Sequence, residues 1–194
     1  MVRFLLHRFL PLLSALIISL LPACVSQDVS VVRNVYVTEE VATSLLPPDD
    51  LESAIDEYSI FSGAFNGRNM TMPTYLHADE DGVSLTFFST LGQVLLSISY
   101  DGESVETSSS FIAPGSIVGE YVIFDIQLLY YDFSKLGSAL SPNGLRFKMH
   151  EDDGGYEREL YMGERLLWKG SISSGSISVE NYVWKYSYMI GGAE

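Results

Sequence analysis

VSLTFFSTLGQVLLSISYDGESVETS, residues 83–108, decides the fold. Val83, Leu85 and Phe87 alternate with Ser84, Thr86 and Phe88, and Val94, Leu96, Ile98 and Tyr100 share a face opposite Gln93, Ser97 and Ser99. A period of two is the signature of a strand with one buried face. Leu91-Gly92 turns between the first two runs. Asp101-Gly102 is a strong hairpin signal, and Glu103 to Ser108 returns. None of these turns leaves room for a crossover helix, so the strands are antiparallel.

The same reading extends outward. Upstream, Ser59 to Gly67 and Thr71 to Ala78 read as strands, joined to Val83 by the acidic turn Asp79-Glu80-Asp81-Gly82. Downstream, Leu145, Phe147 and Met149 alternate, and Asp152-Asp153-Gly154-Gly155 turns into Tyr156 to Met162. Gly163-Glu164 leads to Arg165 to Ile172, and a serine-glycine loop (171–176) precedes a last strand with Tyr182, Trp184, Tyr186, Tyr188 and Ile190 on one face. Between the two groups, Val118 to Phe133 is about 16 residues without sustained alternation, apolar on nearly all sides. Its length predicts a helix and its composition a buried one. The expected class is mainly β (α+β): one antiparallel sheet curving around one or two helices.

The N-terminus carries a different message. Arg3, His7 and Arg8 precede a run from Phe9 to Leu21 that is almost wholly apolar. About 13 residues fall short of the ~20 that span a hydrocarbon core, and basic-then-apolar order is that of a secretory signal. Leu21-Pro22-Ala23-Cys24 then resembles a bacterial lipobox, and Cys24 is the chain's one cysteine. The expectation is a lipoprotein signal peptide (1–23), lipidation of Cys24 and permanent attachment by its acyl chains. Val25 and Ser26 follow the cysteine; the absence of aspartate there points, by analogy, to the inner leaflet of the outer membrane, facing the periplasm. A lone cysteine makes no internal disulfide, so the exported domain folds without staples. Residues 24–50, with Glu39-Glu40 and Pro47-Pro48 and no sustained pattern, read as a lipid-anchored tether with a short strand near Val31 to Val37. A short helix capped by Asp49 or Asp50, with Leu51, Ala54 and Ile55 on one side, opens a single domain over 51–194.

Composition narrows function by exclusion. Without residues 1–23 the chain keeps nine basic residues against 25 acidic ones, a net of −16. Nucleic-acid binding is excluded, since phosphate contacts need Lys and Arg, and no polybasic patch is present for anionic lipid. His77 and His150 fall on separate strands, Gly115-Ser116-Ile117-Val118-Gly119 has isoleucine where a nucleophile elbow needs serine, and no phosphate loop or H-E-x-x-H occurs. The acidic runs 79–82 and 150–153 lie at hairpin turns, where Asp and Gly serve the backbone. No enzyme, metal or cofactor is expected. Asp125 and Gln127 stand inside the apolar helical run, where an unpaired polar group is costly. They either pair with loop or sheet backbone, or line a cavity and orient a polar ligand head. The aromatic ladder of the last strand is likewise either core or binding surface, in a chain rich in Tyr, Phe and Met.

Several runs carry a resemblance: Ser62-Gly63-Ala64-Phe65-Asn66-Gly67-Arg68, Leu91-Gly92-Gln93-Val94-Leu95, Tyr100-Asp101-Gly102, Phe124-Asp125-Ile126-Gln127-Leu128-Leu129-Tyr130-Tyr131, and Asn181-Tyr182. Over about residues 58–190 the chain resembles a bacterial lipoprotein family of unassigned function, often encoded within aryl-polyene biosynthesis clusters and distantly similar to LolA and LolB. The family's helix often ends in Trp-Pro; here Tyr131-Asp132 stands instead. The resemblance implies a half-open antiparallel β-barrel wrapped around one or two helices, a cup that holds acyl chains. The function it implies is binding of a lipid-like or polyene ligand and help with its transport or insertion into the outer membrane. The expected ligand contacts are Phe124, Leu128 and Tyr131 from the helix, Leu96, Ile98, Trp184 and Tyr186 from the sheet, and Asp125 and Gln127 as polar contacts. Expected partners are the membrane, a lipid-like or lipoprotein ligand and a periplasmic carrier protein. The rival is a non-catalytic periplasmic scaffold acting through protein–protein contacts. What separates them is whether the aromatic interior encloses a cavity of ligand size.

Overall fold

The computed structural model of the chain describes residues 26–30, 34–65, 68–110 and 118–192. The expected signal peptide (1–23) and Cys24 lie outside the described residues. Among the described residues thirteen strands and two α-helices follow in order: β1 Ser26–Ser30, β2 Asn34–Tyr36, β3 Ala42–Ser44, β4 Ile55–Phe65, β5 Arg68–Ala78, β6 Val83–Phe88, β7 Val94–Tyr100 and β8 Val105–Ser109. A longer helix, Gly119–Tyr130, and a shorter one, Phe133–Leu140, precede β9 Leu145–Asp152, β10 Gly155–Met162, β11 Arg165–Ser173, β12 Ser176–Asn181 and β13 Tyr186–Gly192. Among the described residues no helix is long and apolar enough to cross a membrane.

Eleven strands form one antiparallel sheet in the order β1-β8-β7-β6-β5-β4-β13-β12-β11-β10-β9. It is two meanders, β4 to β8 and β9 to β13, joined by the β4–β13 pairing, where Gly63 faces Tyr188. The sheet is mainly β as expected, but it is not closed into a barrel: β1 and β9 each have a single neighbour. Along β6, buried and half-buried residues alternate without a break, which pins the register because a one-residue slip would turn Val83, Leu85 and Phe87 to solvent. Leu96, Ile98, Val105, Leu160, Trp168 and Val179 continue the same core.

Both helices lie on this inner face. The expected single element over 118–133 is divided at Tyr131, which is extended and bridges Leu51. Asp132 N–H donates to Asp50 O at 3.0 Å, and its side chain caps the second helix by accepting from Lys135 N at 2.8 Å. The helix expected after Asp49 is only a 3-10 turn, Pro48–Asp50, and β4 begins at Ile55. Residues 34–46, placed by sequence in the tether, form the β2–β3 hairpin and bury Val35, Val37 and Leu45 in the core. The expected last strand is also shorter. Asn181 Oδ1 accepts from Val183 N at 3.1 Å and Trp184 N at 2.8 Å, an Asx turn, so 182–185 turn and β13 starts at Tyr186.

Two glycines let the helix approach the sheet. A Cβ on Gly119, the first residue of the longer helix, would meet Val105 Cγ1 at 2.9 Å; one on Gly170 in β11 would meet the Trp168 ring and Leu129 Cδ2 at 2.9 Å. Gly170→Ala is therefore expected to cost about 1–3 kcal/mol, read as a lower urea midpoint at unchanged slope.

Candidate functional site

The longer helix buries residues on all its faces: Ile123, Phe124, Ile126, Leu128 and Leu129, with Asp125 and Gln127 among them. Each polar side chain has found partners. The Asp125 carboxylate accepts from Trp168 Nε1 at 2.8 Å, from the Tyr186 hydroxyl at 2.9 and 3.0 Å, and from the Tyr188 hydroxyl at 3.2 Å. Burial pushes its carboxyl up to about 7 against the lowering effect of those bonds. Burial first, and then the Asp125 charge, push the Tyr186 and Tyr188 hydroxyls well above their ordinary value. Gln127 pairs with one residue twice: its Oε1 accepts from Leu46 N at 3.0 Å and its Nε2 donates to Leu46 O at 2.7 Å. That is a strand-like pairing made by a side chain, and it ties the segment after β3 to the helix.

A third lock is at the helix end. Arg158, on β10 and buried, donates through Nη1 to Tyr131 O at 2.8 Å and Leu128 O at 3.3 Å, and through Nη2 to Glu52 Oε1 at 3.0 Å. Its guanidinium lies over the Tyr156 ring, 4.9 Å from the centroid.

Of the residues singled out by sequence, Phe124, Trp184 and Tyr186 meet around one cleft, with Tyr36, Tyr121 and Trp168. Trp184 is 36% exposed, donates from Nε1 to Tyr36 O at 3.1 Å and packs its ring 5.5 Å from that of Tyr121. The cleft holds about 10 Å³, the space of one water. Leu96 and Ile98 lie on β7, four strands from β13, and are buried, as are Leu128 and Tyr131. Trp168, Tyr188 and Arg158 complete the polar locks. Tyr188 stood in the aromatic ladder; Arg158 falls between Tyr156 and Leu160 at the inward period of β10, a readable sign of a buried cation.

The turn carboxylates act on their own backbones. Asp79 Oδ1 accepts from Asp81 N at 2.9 Å and Gly82 N at 3.2 Å, and Asp101 Oδ1 from Glu103 N at 2.8 Å and Ser104 N at 2.7 Å. Among the described residues no three His, Cys, Asp or Glu side chains converge as a metal site.

Sheet and site together define a mainly β domain in which an open antiparallel sheet holds an apolar helix by a few buried polar locks. The chain belongs to the family described as "Protein of unknown function (DUF3261)", whose model matches residues 61–191. All the motif runs from Ser62 to Tyr182 fall within that span. No curated protein matches the chain.

Proposed function

We propose that this is a lipoprotein anchored through Cys24 in the inner leaflet of the outer membrane, which binds a lipid-like or polyene ligand on the inner face of its sheet and assists transport or insertion. In this reading the sheet and its helices are a LolA/LolB-like cup, and the genomic neighbourhood is that of aryl-polyene synthesis. The observation that carries it is the longer helix itself. A mainly apolar rod, with Asp125 and Gln127 as its buried polar residues, packs in one core with Leu96, Ile98 and their neighbours. It is held by a handful of hydrogen bonds rather than by covalent links. Displacing it would uncover a face of aliphatic and aromatic side chains, with Asp125 and Gln127 freed to meet a polar head group. No catalytic role is assigned.

A second reading has its own support. The cleft beside Phe124 is water-sized, which supports a non-catalytic scaffold that meets protein partners through its acidic surface.

Native mass spectrometry of a Cys24→Ser form exported to the periplasm separates the two. The carrier reading expects a retained phospholipid, lipopeptide or polyene mass. A mass that stays that of the bare chain after challenge with each extract sinks it in favour of the scaffold. Leu128→Arg is expected to abolish capture in a chain that still shows native far-UV circular dichroism. Loss of that signal instead would mark Leu128 as core alone.

A further inference from the structure

The eleven-stranded sheet ends at β9, whose one neighbour among the described residues is β10. The two are joined by the two-residue turn Asp153-Gly154, which makes Asp152 and Gly155 a hydrogen-bonded pair. Antiparallel pairing alternates from there. Arg146, Lys148 and His150 therefore bond β10 through their backbones, and Phe147, Met149 and Glu151 turn N–H and C=O to the open side. Such a row is a template for another strand, and edges are commonly guarded against one by charge, lysine above all. The charge on β9 is arranged differently. Its first half carries Arg146 and Lys148, and its end and turn carry Glu151, Asp152 and Asp153. Among the described residues Lys148, Glu151, Asp152 and Asp153 have no ion-pair partner within the chain. The Lys148 ammonium lies over the Tyr161 ring, 4.7 Å from its centroid, and Arg146 meets the exposed Glu164 at 3.6 Å.

A strand with cations in one half and carboxylates in the other is complementary to a reversed copy of itself. We propose that β9 pairs antiparallel with β9 of a second copy about a two-fold axis at Met149, joining two open sheets into one. Met149 then faces Met149 in a hydrogen-bonded pair. Arg146 faces Asp152 of the second copy in a non-hydrogen-bonded pair, where side chains come closest. Lys148 is diagonal to the same carboxylate, within reach of a long side chain. An axis at Lys148 would instead set two ammonium groups against each other, and a parallel arrangement would set like half against like. The contact is isologous, so it closes at two copies and does not grow into a fibre. Charge elsewhere permits it: between residues 145 and 192 six basic residues stand against seven acidic ones, so the acidity that repels two copies is concentrated in the rest of the chain. The pairing leaves the inner face of the sheet untouched and stands whatever that face binds.

The test uses the chain exported to the periplasm with Cys24→Ser, so that an added cysteine is its only thiol. Under mild oxidation Met149→Cys is expected to form an intermolecular disulfide roughly tenfold faster than Ser178→Cys, an exposed control on β12, because only thiols facing across the axis come within bonding distance. Adding Arg146→Asp to the Met149→Cys chain should bring the rate down to that of the control, and adding Asp152→Arg as well should restore it. Asp152 also steadies its own turn by accepting from Gly154 N at 2.8 Å, and a damaged turn could not produce that rescue. Sedimentation velocity of the parent, with no added thiol, reads the same association. The parent is expected to shift toward a dimer as concentration rises and to lose the shift with Arg146→Asp. Cross-linking no faster at 149 than at 178, or a parent that sediments as a monomer throughout, overturns the pairing and leaves the edge to a strand of another protein.

Discussion

Arg158→Ala is expected to lower the unfolding free energy by about 3–5 kcal/mol. The guanidinium is buried on β10 and its donors reach three separate places: the carbonyls of Leu128 and Tyr131 at the end of the longer helix, and Glu52 before β4. Truncation leaves those carbonyls without a donor and opens a void between the Tyr156 and Phe147 rings, over which the cation sits. It also removes a positive charge from a helix C-terminus. Arg158→Lys should recover only part of the loss, because one ammonium on a flexible stem does not reproduce the fork. Urea unfolding followed by tryptophan fluorescence measures both. A change below about 1 kcal/mol for the alanine variant would mean the carbonyls find water and the lock is dispensable.

The second large effect is one of pH. Asp125 has its carboxyl raised from 3.8 to about 7 by burial, so the folded chain binds a proton there that the unfolded chain has already released. Stability from this group is fully present below pH 4 and is lost as the pH climbs toward 7, at about 1.4 kcal/mol per unit. Between pH 5 and pH 8 the expected decline is about 2–3 kcal/mol. Asp79 and Asp101 act in the opposite sense and elsewhere. Hydrogen bonds from Asp81 N and Ser104 N, respectively, hold their carboxyls below the usual range, so their contribution is lost only on acidification below about pH 4. Asp125→Asn keeps the shape and should flatten the pH 5–8 slope relative to the parent in paired denaturation curves. Parallel curves for the two proteins would mean the carboxyl titrates as if exposed.

Much of the sheet could be read from the chain because its information is local. The alternation Val83, Leu85, Phe87 and the Asp-Gly turn need no knowledge of what lies across the core. The division of the helical run at Tyr131 was not readable, because its cause is a bridge to Leu51, 80 residues earlier. The same holds for residues 34–46: two three-residue strands carry too little pattern to announce themselves, and Val35, Val37 and Leu45 are buried only because the longer helix and Gln127 come to meet them. The turn at 182–185 was hidden by coincidence, since Tyr182, Trp184 and Tyr186 alternate like a strand while Asn181 bends the backbone beneath them. At the site, Asp125 and Gln127 stood out by chemistry, but Trp168 could not be assigned to Asp125 across 43 positions of sequence.

The seam between β4 and β13 sets a schedule. In order of synthesis, β4 is complete at Phe65, and the strand that covers its open side begins only at Tyr186. At ~5–20 residues per second, those roughly 120 intervening residues take on the order of ten seconds. For that interval the first meander presents a bare row of amide and carbonyl groups to whatever passes. A second copy's late-arriving β13 would satisfy it as well as the chain's own, so crowding of nascent chains should favour exchanged dimers over monomers.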